Sequence, residues 1–214
     1  MRAFRAALSA AASTSSRGGI LPGLGGALLS LGAALANSAP PAPGKAASLP
    51  ASANICEREM AGASAKHGVP LGVLYAVGLT ESGKRGSLQP YAMNIQGRAY
   101  FGTSAADVMS QLAQARASGI KLVDLGCMQI NHHYHREKFT SLEAMIDPRQ
   151  NVEYATLFLK QLKAREGSWT LAVARYHAGP NNNPAQKQYV CRVITNMVAT
   201  GFGAWTPGAR SFCQ

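Results

Sequence analysis

The stretch GVPLGVLYAVGLTESGKRG, residues 68–86, combines an apolar run with a single acid near its end, Glu81. Pro70 suits the first position of a helix, where its missing N–H would lack a partner in any case, and Gly83 is typical of a helix end. Between them one helical face carries Leu71, Leu74, Val77 or Gly78, and Glu81. The pattern predicts a helix whose buried face ends in a carboxyl group.

An acid in that position is expected to hold its proton. Burial disfavours the charged carboxylate, and so does the partial negative charge of the carbonyl groups at a helix C-terminus. Both effects raise the pKa of Glu81 and suit it to donate a proton near neutral pH, as a general acid does. The alternative is a solvated glutamate near the helix end, beside Ser82 and Lys84.

The first 36 residues are predicted to be a secretory signal peptide. They contain three arginines, no acid, and the apolar run GGILPGLGGALLSLGAALA, which ends in small residues at Ala36. Pro22 and several glycines make this run a poor membrane-spanning helix. We therefore expect cleavage near Ala36 and a periplasmic or secreted protein, with membrane contact only through this segment if it stays uncleaved. Residues 37–53, NSAPPAPGKAASLPASA, have the composition of an extended linker.

Residues 54–214 have the size of one domain. The chain holds 21 Lys and Arg against 10 acidic residues, and without the three N-terminal arginines it still carries a formal charge of +8. The longest basic run is Lys84-Arg85 and the other cations are scattered, which disfavours a nucleic-acid-binding face. A basic exported domain instead suits an acidic polymer, such as a cell wall rich in carboxylates.

All four cysteines lie in this domain: Cys56, Cys127, Cys191 and Cys213. An even number in an exported chain predicts two disulfides. Of the three possible connectivities we favour Cys191–Cys213, which would hold the C-terminal tail against the last helix, and this leaves Cys56–Cys127. Zinc binding is the alternative, but no C-x-x-C pair is present.

The remaining patterns predict an α+β fold that is mostly helical. A near capping box opens a helix at Asn54 that ends before Gly68, and residues 90–102, PYAMNIQGRAYFG, suggest a β-hairpin. Further helices are expected to begin after Ser104, Asp147, Ser168 and near Pro184. A small β lobe beside a helical lobe leaves a cleft between them, with Glu81 at its lip.

Three short motifs occur in order along the chain: Glu81-Ser82, residues 126–131 (GCMQIN) and residues 174–179 (ARYHAG). Together they resemble the lysozyme-like soluble lytic transglycosylases, over nearly all of residues 54–200. The GCMQIN segment and the compact domain are similar to the small specialised transglycosylases that accompany conjugation and type IV secretion machines. The resemblance implies a lysozyme-like fold, peptidoglycan glycan strands as substrate and components of such a machine as partners. No cofactor and no metal ion are expected.

The resemblance also implies a mechanism. Glu81 acts first as acid and then as base, the substrate's N-acetyl group stabilises the cation, and the C6 hydroxyl of the muramyl sugar closes a 1,6-anhydro ring. A hydrolase would usually need a second carboxylate. Asp124, on the strand before GCMQIN, and Asp107, in the first turn of a helix, are the candidates, but solvated acids are common at both kinds of position.

Binding roles for further motif residues follow from the same resemblance. Gln129 and Asn131 would bind sugar hydroxyls or amides, with capping of the turn as the alternative. Tyr176 would direct its hydroxyl toward Glu81 or the sugar, with a buried structural tyrosine as the alternative. The other substrate contacts are expected from Ser82, Met128, His177 and Tyr189, although Tyr189 would equally suit the core and Ser82 the helix end.

Two motif positions depart from the family pattern. Cys127 stands where a larger apolar residue is usual, which suggests a disulfide near the cleft. His177 stands where asparagine is usual and puts a polar ring in place of an amide. After the second motif come His132, His133 and His135, which we interpret as a solvated segment, because no two of them have the i, i+4 spacing of a helical metal site.

Three hypotheses of function remain at this point. The leading one is a peptidoglycan-cleaving transglycosylase. The second is a hydrolytic muramidase on the same fold, which would be favoured by a carboxylate across the cleft from Glu81. The third is a non-catalytic wall-binding or assembly component, which would have no need of a buried acid.

Overall fold

The computed structural model describes residues 53–179 and 183–214. The predicted signal peptide, residues 1–36, and all but the last residue of the predicted linker, residues 37–53, lie outside the described residues. Both stay predictions. None of the described helices is long and apolar enough to cross a membrane.

The described part of the chain contains nine α-helices and four β-strands. In chain order they are α1 Ile55–His67, α2 Leu71–Ser82, β1 Ala92–Ile95, β2 Arg98–Phe101, α3 Ala105–Ala117, β3 Val123–Leu125, β4 Ile130–Asn131, α4 His132–His135, α5 Leu142–Ile146, α6 Pro148–Glu166, α7 Trp169–Ala178, α8 Asn183–Ala199 and α9 Pro207–Cys213. A short 3₁₀ turn, Arg136–Lys138, follows α4. The prediction of a mostly helical α+β fold with a small β lobe is confirmed.

The helix α2 has one end as predicted and one that differs. Pro70 is not its first helical residue but the cap before it, with an extended ψ of 127°. Gly83 does end the helix, but with φ −65° and not in a left-handed conformation. The glycine is needed there for space, because a Cβ at this position would collide with the carbonyl of Leu79.

The strands form one antiparallel sheet in the order β2-β1-β3-β4. The predicted hairpin is the β1–β2 pair, which turns at Gln96 and Gly97. In the register of the sheet Asp124 on β3 lies between Asn94 on β1 and Asn131 on β4. This acid therefore occupies an inner strand of the β lobe.

The core surrounds α2, whose residues from Gly72 to Gly78 are all buried. On either side of it lie α1 and α8, and α6 packs against α1 and α7. Gly78 permits this close packing, since a Cβ at its position would lie 2.5 Å from Met60 Cε and 2.6 Å from Leu88 Cδ2. The helix that carries Glu81 is thus held rigidly from several sides.

Both disulfides have the pairing that the sequence analysis favours. Cys56–Cys127 joins α1 to the turn between β3 and β4, with a Cα–Cα distance of 5.7 Å. Cys191–Cys213 joins α8 to α9, with a Cα–Cα distance of 5.6 Å. The first bond is completely buried and links the helical part to the β lobe, while the second holds the C-terminal segment against α8.

Candidate active site

Glu81 lies in the last turn of α2, between the β lobe and α8. The residue is partly exposed, and its Oε1 accepts a 2.5 Å hydrogen bond from the hydroxyl of Tyr189. Burial is the main influence on its ionisation and raises the pKa of the Glu81 carboxyl from 4.5 to about 7. A carboxyl group with this pKa is half protonated near neutral pH and can both donate and accept a proton there.

Three neighbours act on this carboxyl besides burial. The hydrogen bond from Tyr189 favours the charged form and lowers the pKa of Glu81, and the positive charge of Arg192 lowers it further. The negative charge of Asp124 on β3 acts in the opposite direction and raises it. Glu81 is thus influenced by charged and polar groups from the sheet and from α8 together, while its position at the lip of a cleft stays a prediction.

Tyr189 is the structural partner of the acid. Its side chain is 1% exposed, and burial, together with the nearby Glu81, holds the pKa of its phenol well above the usual range. The hydroxyl therefore stays protonated and remains a donor. The ring of His177 stacks on the Tyr189 ring with a centroid distance of 4.2 Å and an interplanar angle of 4°. Tyr189 is therefore a core residue whose hydroxyl contacts the acid, and its contact with the substrate stays a prediction.

Ser82 positions the acid rather than facing open solvent. It is 3% exposed, and its hydroxyl donates a 2.7 Å hydrogen bond to the carbonyl oxygen of Cys127. Cys127 is in turn bonded to Cys56 on α1. The end of α2, α1 and the turn after β3 are therefore tied together next to Glu81.

The turn between β3 and β4 has a constrained backbone. Gly126 has φ 79° and Gln129 has φ 47°, and a non-glycine residue with positive φ is uncommon and often marks a functional turn. The side-chain amide of Gln129 donates to the carbonyl oxygens of Gly126 and Ala92, at 2.9 and 3.1 Å. This is the turn-capping alternative for Gln129, and it leaves only the Oε1 atom for a sugar.

Asn151 on α6 supports the same turn and was missed by the sequence analysis. It is fully buried, its Oδ1 accepts from the Met128 N–H at 2.9 Å, and its amide donates to the carbonyl oxygens of Leu125 and Met145. Any Cβ at Gly126 would meet the Asn151 amide at 2.7 Å. The contact between Gly126 and Asn151 can be recognised only in the folded chain. The one signal for Asn151 in the sequence is that its amide stands among apolar residues on the inner face of α6.

Met128 corrects an expectation. We predicted a substrate contact, but its side chain is fully buried in the core, where it packs near Gly78. Its backbone carbonyl accepts a 2.7 Å hydrogen bond from the hydroxyl of Tyr176. We expected the Tyr176 hydroxyl to point toward Glu81 or the sugar. Instead it donates to the turn. The tyrosine that contacts the acid is Tyr189.

Asn131 also uses its side chain within the protein. Its amide donates to Asp124 Oδ1 at 2.7 Å, and its Oδ1 accepts from the backbone N–H of His133 at 3.0 Å. Both ends of the side chain are occupied, which corresponds to the capping alternative. The bond from Asn131 lowers the pKa of Asp124, but burial has the larger effect and raises it.

Asp107, the other candidate for a second carboxylate, has a structural environment. It accepts hydrogen bonds from the hydroxyl of Tyr100 at 2.5 Å and from the backbone N–H of Thr103 at 2.9 Å. These bonds lower the pKa of its carboxyl. Asp107 therefore fastens the start of α3 to β2, and it is not among the groups that act on Glu81.

The histidines after β4 are not uniformly solvated, which corrects a second expectation. His133 is exposed, but Nδ1 of His135 lies 2.8 Å from the Tyr154 hydroxyl and its ring packs against Phe158. His132 has a buried Nε2 without a hydrogen-bond partner among the described residues. Burial lowers the pKa of both His132 and His135, so these two rings are partly packed, neutral groups.

Comparison with protein families identifies the kind of domain that this geometry forms. The family model described as "Transglycosylase SLT domain" matches residues 59–196, which include Glu81, the turn and Tyr189. Because this is more than half of the chain, the protein belongs to the transglycosylase SLT domain family, whose members are lytic transglycosylases that act on peptidoglycan. No curated protein and no solved structure gave a significant match.

Proposed function

We propose that this chain is an exported lytic transglycosylase that cleaves the β-1,4 bond between N-acetylmuramic acid and N-acetylglucosamine and leaves 1,6-anhydromuramic acid ends. The observation that carries the proposal is the Glu81 carboxyl, partly exposed, with a pKa raised to about 7 and a fixed hydrogen bond from Tyr189. A group of this kind can protonate the leaving oxygen and then remove a proton from the attacking one.

In the proposed mechanism Glu81 serves twice. Its protonated form donates to the glycosidic oxygen as the bond to the anomeric carbon breaks, and the substrate's acetamido oxygen stabilises the cation. The resulting carboxylate then takes the proton of the C6 hydroxyl while that oxygen attacks intramolecularly. Tyr189 donates to Oε1 and stabilises the carboxylate between the two steps. Intramolecular attack gains the high effective concentration that a diffusing water molecule lacks.

A hydrolytic muramidase is the second candidate, and one observation favours it. Asp124 is near enough to Glu81 to raise the pKa of that acid, and a second carboxylate could activate water or stabilise the sugar. Against this role, one oxygen of Asp124 is held by Asn131, and the chain belongs to a family of transglycosylases. We therefore rank hydrolysis second.

The products decide between the two reactions. Purified peptidoglycan is digested with the protein, and the muropeptides are analysed by mass spectrometry. Transglycosylation yields ends that are lighter by one water than reducing ends. Predominantly reducing ends would reject the proposal and promote the muramidase, while no cleavage, with binding retained, would indicate the non-catalytic wall-binding component.

We further propose that the protein acts in the periplasm or outside the cell after removal of the N-terminal segment, and that it opens the wall locally for a secretion or conjugation machine. The support is the composition of residues 1–36, the two disulfides and the resemblance to the specialised transglycosylases. Fractionation of cells that express the full chain, with N-terminal sequencing of the exported form, tests the export and the cleavage near Ala36.

A further inference from the structure

A cavity of about 450 Å³ lies beside the candidate active site. It is lined by Leu79 and Thr80 of α2, Arg192 and Asn196 of α8, and Trp205 and Cys213 of the C-terminal segment. Thr80 is the residue next to Glu81 in sequence. None of the residues to which the resemblance assigns a sugar contact is among the residues that line this cavity.

One wall of the cavity comes from outside the family domain. The family match ends at residue 196, so Trp205 and Cys213 belong to an additional segment of this chain. The disulfide between Cys191 and Cys213 holds that segment against α8. This wall of the cavity therefore depends on a segment that lies outside the matched SLT domain.

The charge of this region suits an anion. Residues 167–214 contain four Lys and Arg and no Asp or Glu. Arg192 is the one charged residue in the lining, it is exposed, and it forms no salt bridge with any described residue. Its guanidinium lies 5.8 Å from the centre of the Tyr189 ring. An exposed guanidinium without an acidic partner among the described residues can bind a carboxylate through two parallel hydrogen bonds.

We propose that this cavity binds a carboxylate of the peptide stem that peptidoglycan carries on its muramyl sugar, with Arg192 as the anchor and Trp205 as part of the wall. The inference rests on the proposed function, because it takes the reacting strand as peptidoglycan. The geometry supports it, since the ring over which Arg192 lies bears the hydroxyl that contacts Glu81. A peptide extends by up to ~3.5 Å per residue. Two or three stem residues are therefore long enough to reach from a sugar at Glu81, past the Tyr189 ring, to Arg192.

The first test compares two substrates. Catalytic efficiency, kcat/KM, is measured on glycan strands that keep their peptide stems and on strands stripped of stems by an amidase, for the wild type, Arg192→Gln and Lys187→Gln. We expect the wild type to prefer strands with stems, and Arg192→Gln to reduce that preference about tenfold, the cost of one charge-assisted bond. Any effect of Arg192 on the pKa of Glu81 is common to both substrates and cancels in the ratio.

Lys187→Gln is the matched control. It removes the same charge from the same helix, but Lys187 lies over Phe212 and not in the cavity lining. Its preference for strands with stems should equal that of the wild type. An equal loss of this preference in both variants would indicate general electrostatic attraction. An unchanged preference in Arg192→Gln would indicate that Arg192 does not contact the stem. Either result would overturn the proposal.

A binding experiment separates this proposal from the proposed function. A synthetic stem tripeptide with free carboxylates is titrated into the full chain by calorimetry, with the fully amidated tripeptide and acetate as comparisons. The proposal expects binding of the free-acid peptide that weakens about tenfold in Arg192→Gln and with amidation. The stem site would be rejected, even if glycan cleavage is found, by any of three results: equal binding of the amidated peptide, displacement by acetate at equal concentration, or no binding. Binding of the free-acid peptide without glycan cleavage would reject the proposed function alone.

Discussion

The hydroxyl of Tyr189 on α8 donates a 2.5 Å hydrogen bond to Oε1 of Glu81 at the end of α2, across a sequence separation of 108 residues. This bond connects the acid to the helix that also carries Arg192. It stabilises the charged carboxylate, whereas burial and the charge of Asp124 oppose ionisation. The balance of these effects leaves the pKa of Glu81 near the middle of the physiological range.

Replacement of the acid is expected to abolish cleavage without unfolding the domain. Glu81→Gln keeps a side chain of the same shape that cannot donate an acidic proton, so cleavage of purified peptidoglycan should fall by about 10²–10⁴-fold or more. Wall binding in a pull-down assay should be retained. Glu137→Gln, at an exposed position in the 3₁₀ turn, is the matched control and should behave as the wild type. A Glu81→Gln protein with near-normal turnover would exclude this residue from the mechanism.

The pH profile of cleavage should report the ionisation of the acid. With a pKa of about 7, Glu81 loses the proton that it must donate as the pH rises, so activity should fall above pH 7. Tyr189→Phe removes a bond that favours the carboxylate and should move this alkaline limb to higher pH. Asp124→Asn removes a repelling charge and should move it to lower pH. Shifts in the same direction for both variants would contradict the assignment of the limb to Glu81.

The same carboxyl should make the domain less stable at neutral pH than in mild acid. The folded-state pKa, about 7, lies above the ordinary value of 4.5, so between these pH values the folded protein holds a proton that the unfolded chain has released. The free energy of unfolding therefore decreases as the pH rises from about 4.5 to about 7, by on the order of 2–3 kcal/mol from this group. Urea unfolding of the wild type and Glu81→Gln at pH 4, 6 and 8 measures this difference. Parallel pH dependences in the two proteins would show that Glu81 ionises normally.

Asn151 should be one of the most sensitive polar residues of the domain. Asn151→Ala removes an acceptor from the Met128 N–H and a donor from two carbonyl oxygens, all of them buried. We expect a loss of roughly 2–4 kcal/mol in the free energy of unfolding, measured by urea denaturation. Gln150→Ala, at the exposed neighbouring position, should change it by less than about 0.5 kcal/mol. Equal effects of the two substitutions would show that the turn does not depend on Asn151.

The two disulfides should differ in their contribution to stability. Cys56–Cys127 spans 71 residues and Cys191–Cys213 spans 22, so chain entropy alone assigns them about 4 and about 3 kcal/mol. Paired serine substitutions, compared by thermal unfolding, should lower the melting temperature more for the first pair, which is also fully buried. Mass mapping of the oxidised protein checks the pairing directly, and four free thiols would contradict both bonds.

Local sequence patterns were sufficient for most of the fold. The capping box at Asn54, the hairpin turn at Gln96 and Gly97, and the cap at Ser104 all act within a few residues, and the structure contains each of them. Short-range hydrogen bonds and steric limits decide such features, so they are visible in the sequence. Pro70 shows the limit of this approach, because the pattern did not distinguish the first helical residue from the cap before it.

The sequence by itself determined that Glu81 ends an apolar helix, that four cysteines can pair, and that three motifs of one family follow in order. Only the tertiary structure decided which side chain touches the acid: Tyr189 and not Tyr176. It also decided that Met128 is core and that Asn151 holds the turn. These contacts join residues 23 to 108 positions apart, and they depend on how helices and sheet pack, which no short pattern encodes. The raised pKa of Glu81 likewise depends on the tertiary structure, because elements that are distant in the sequence bury the carboxyl.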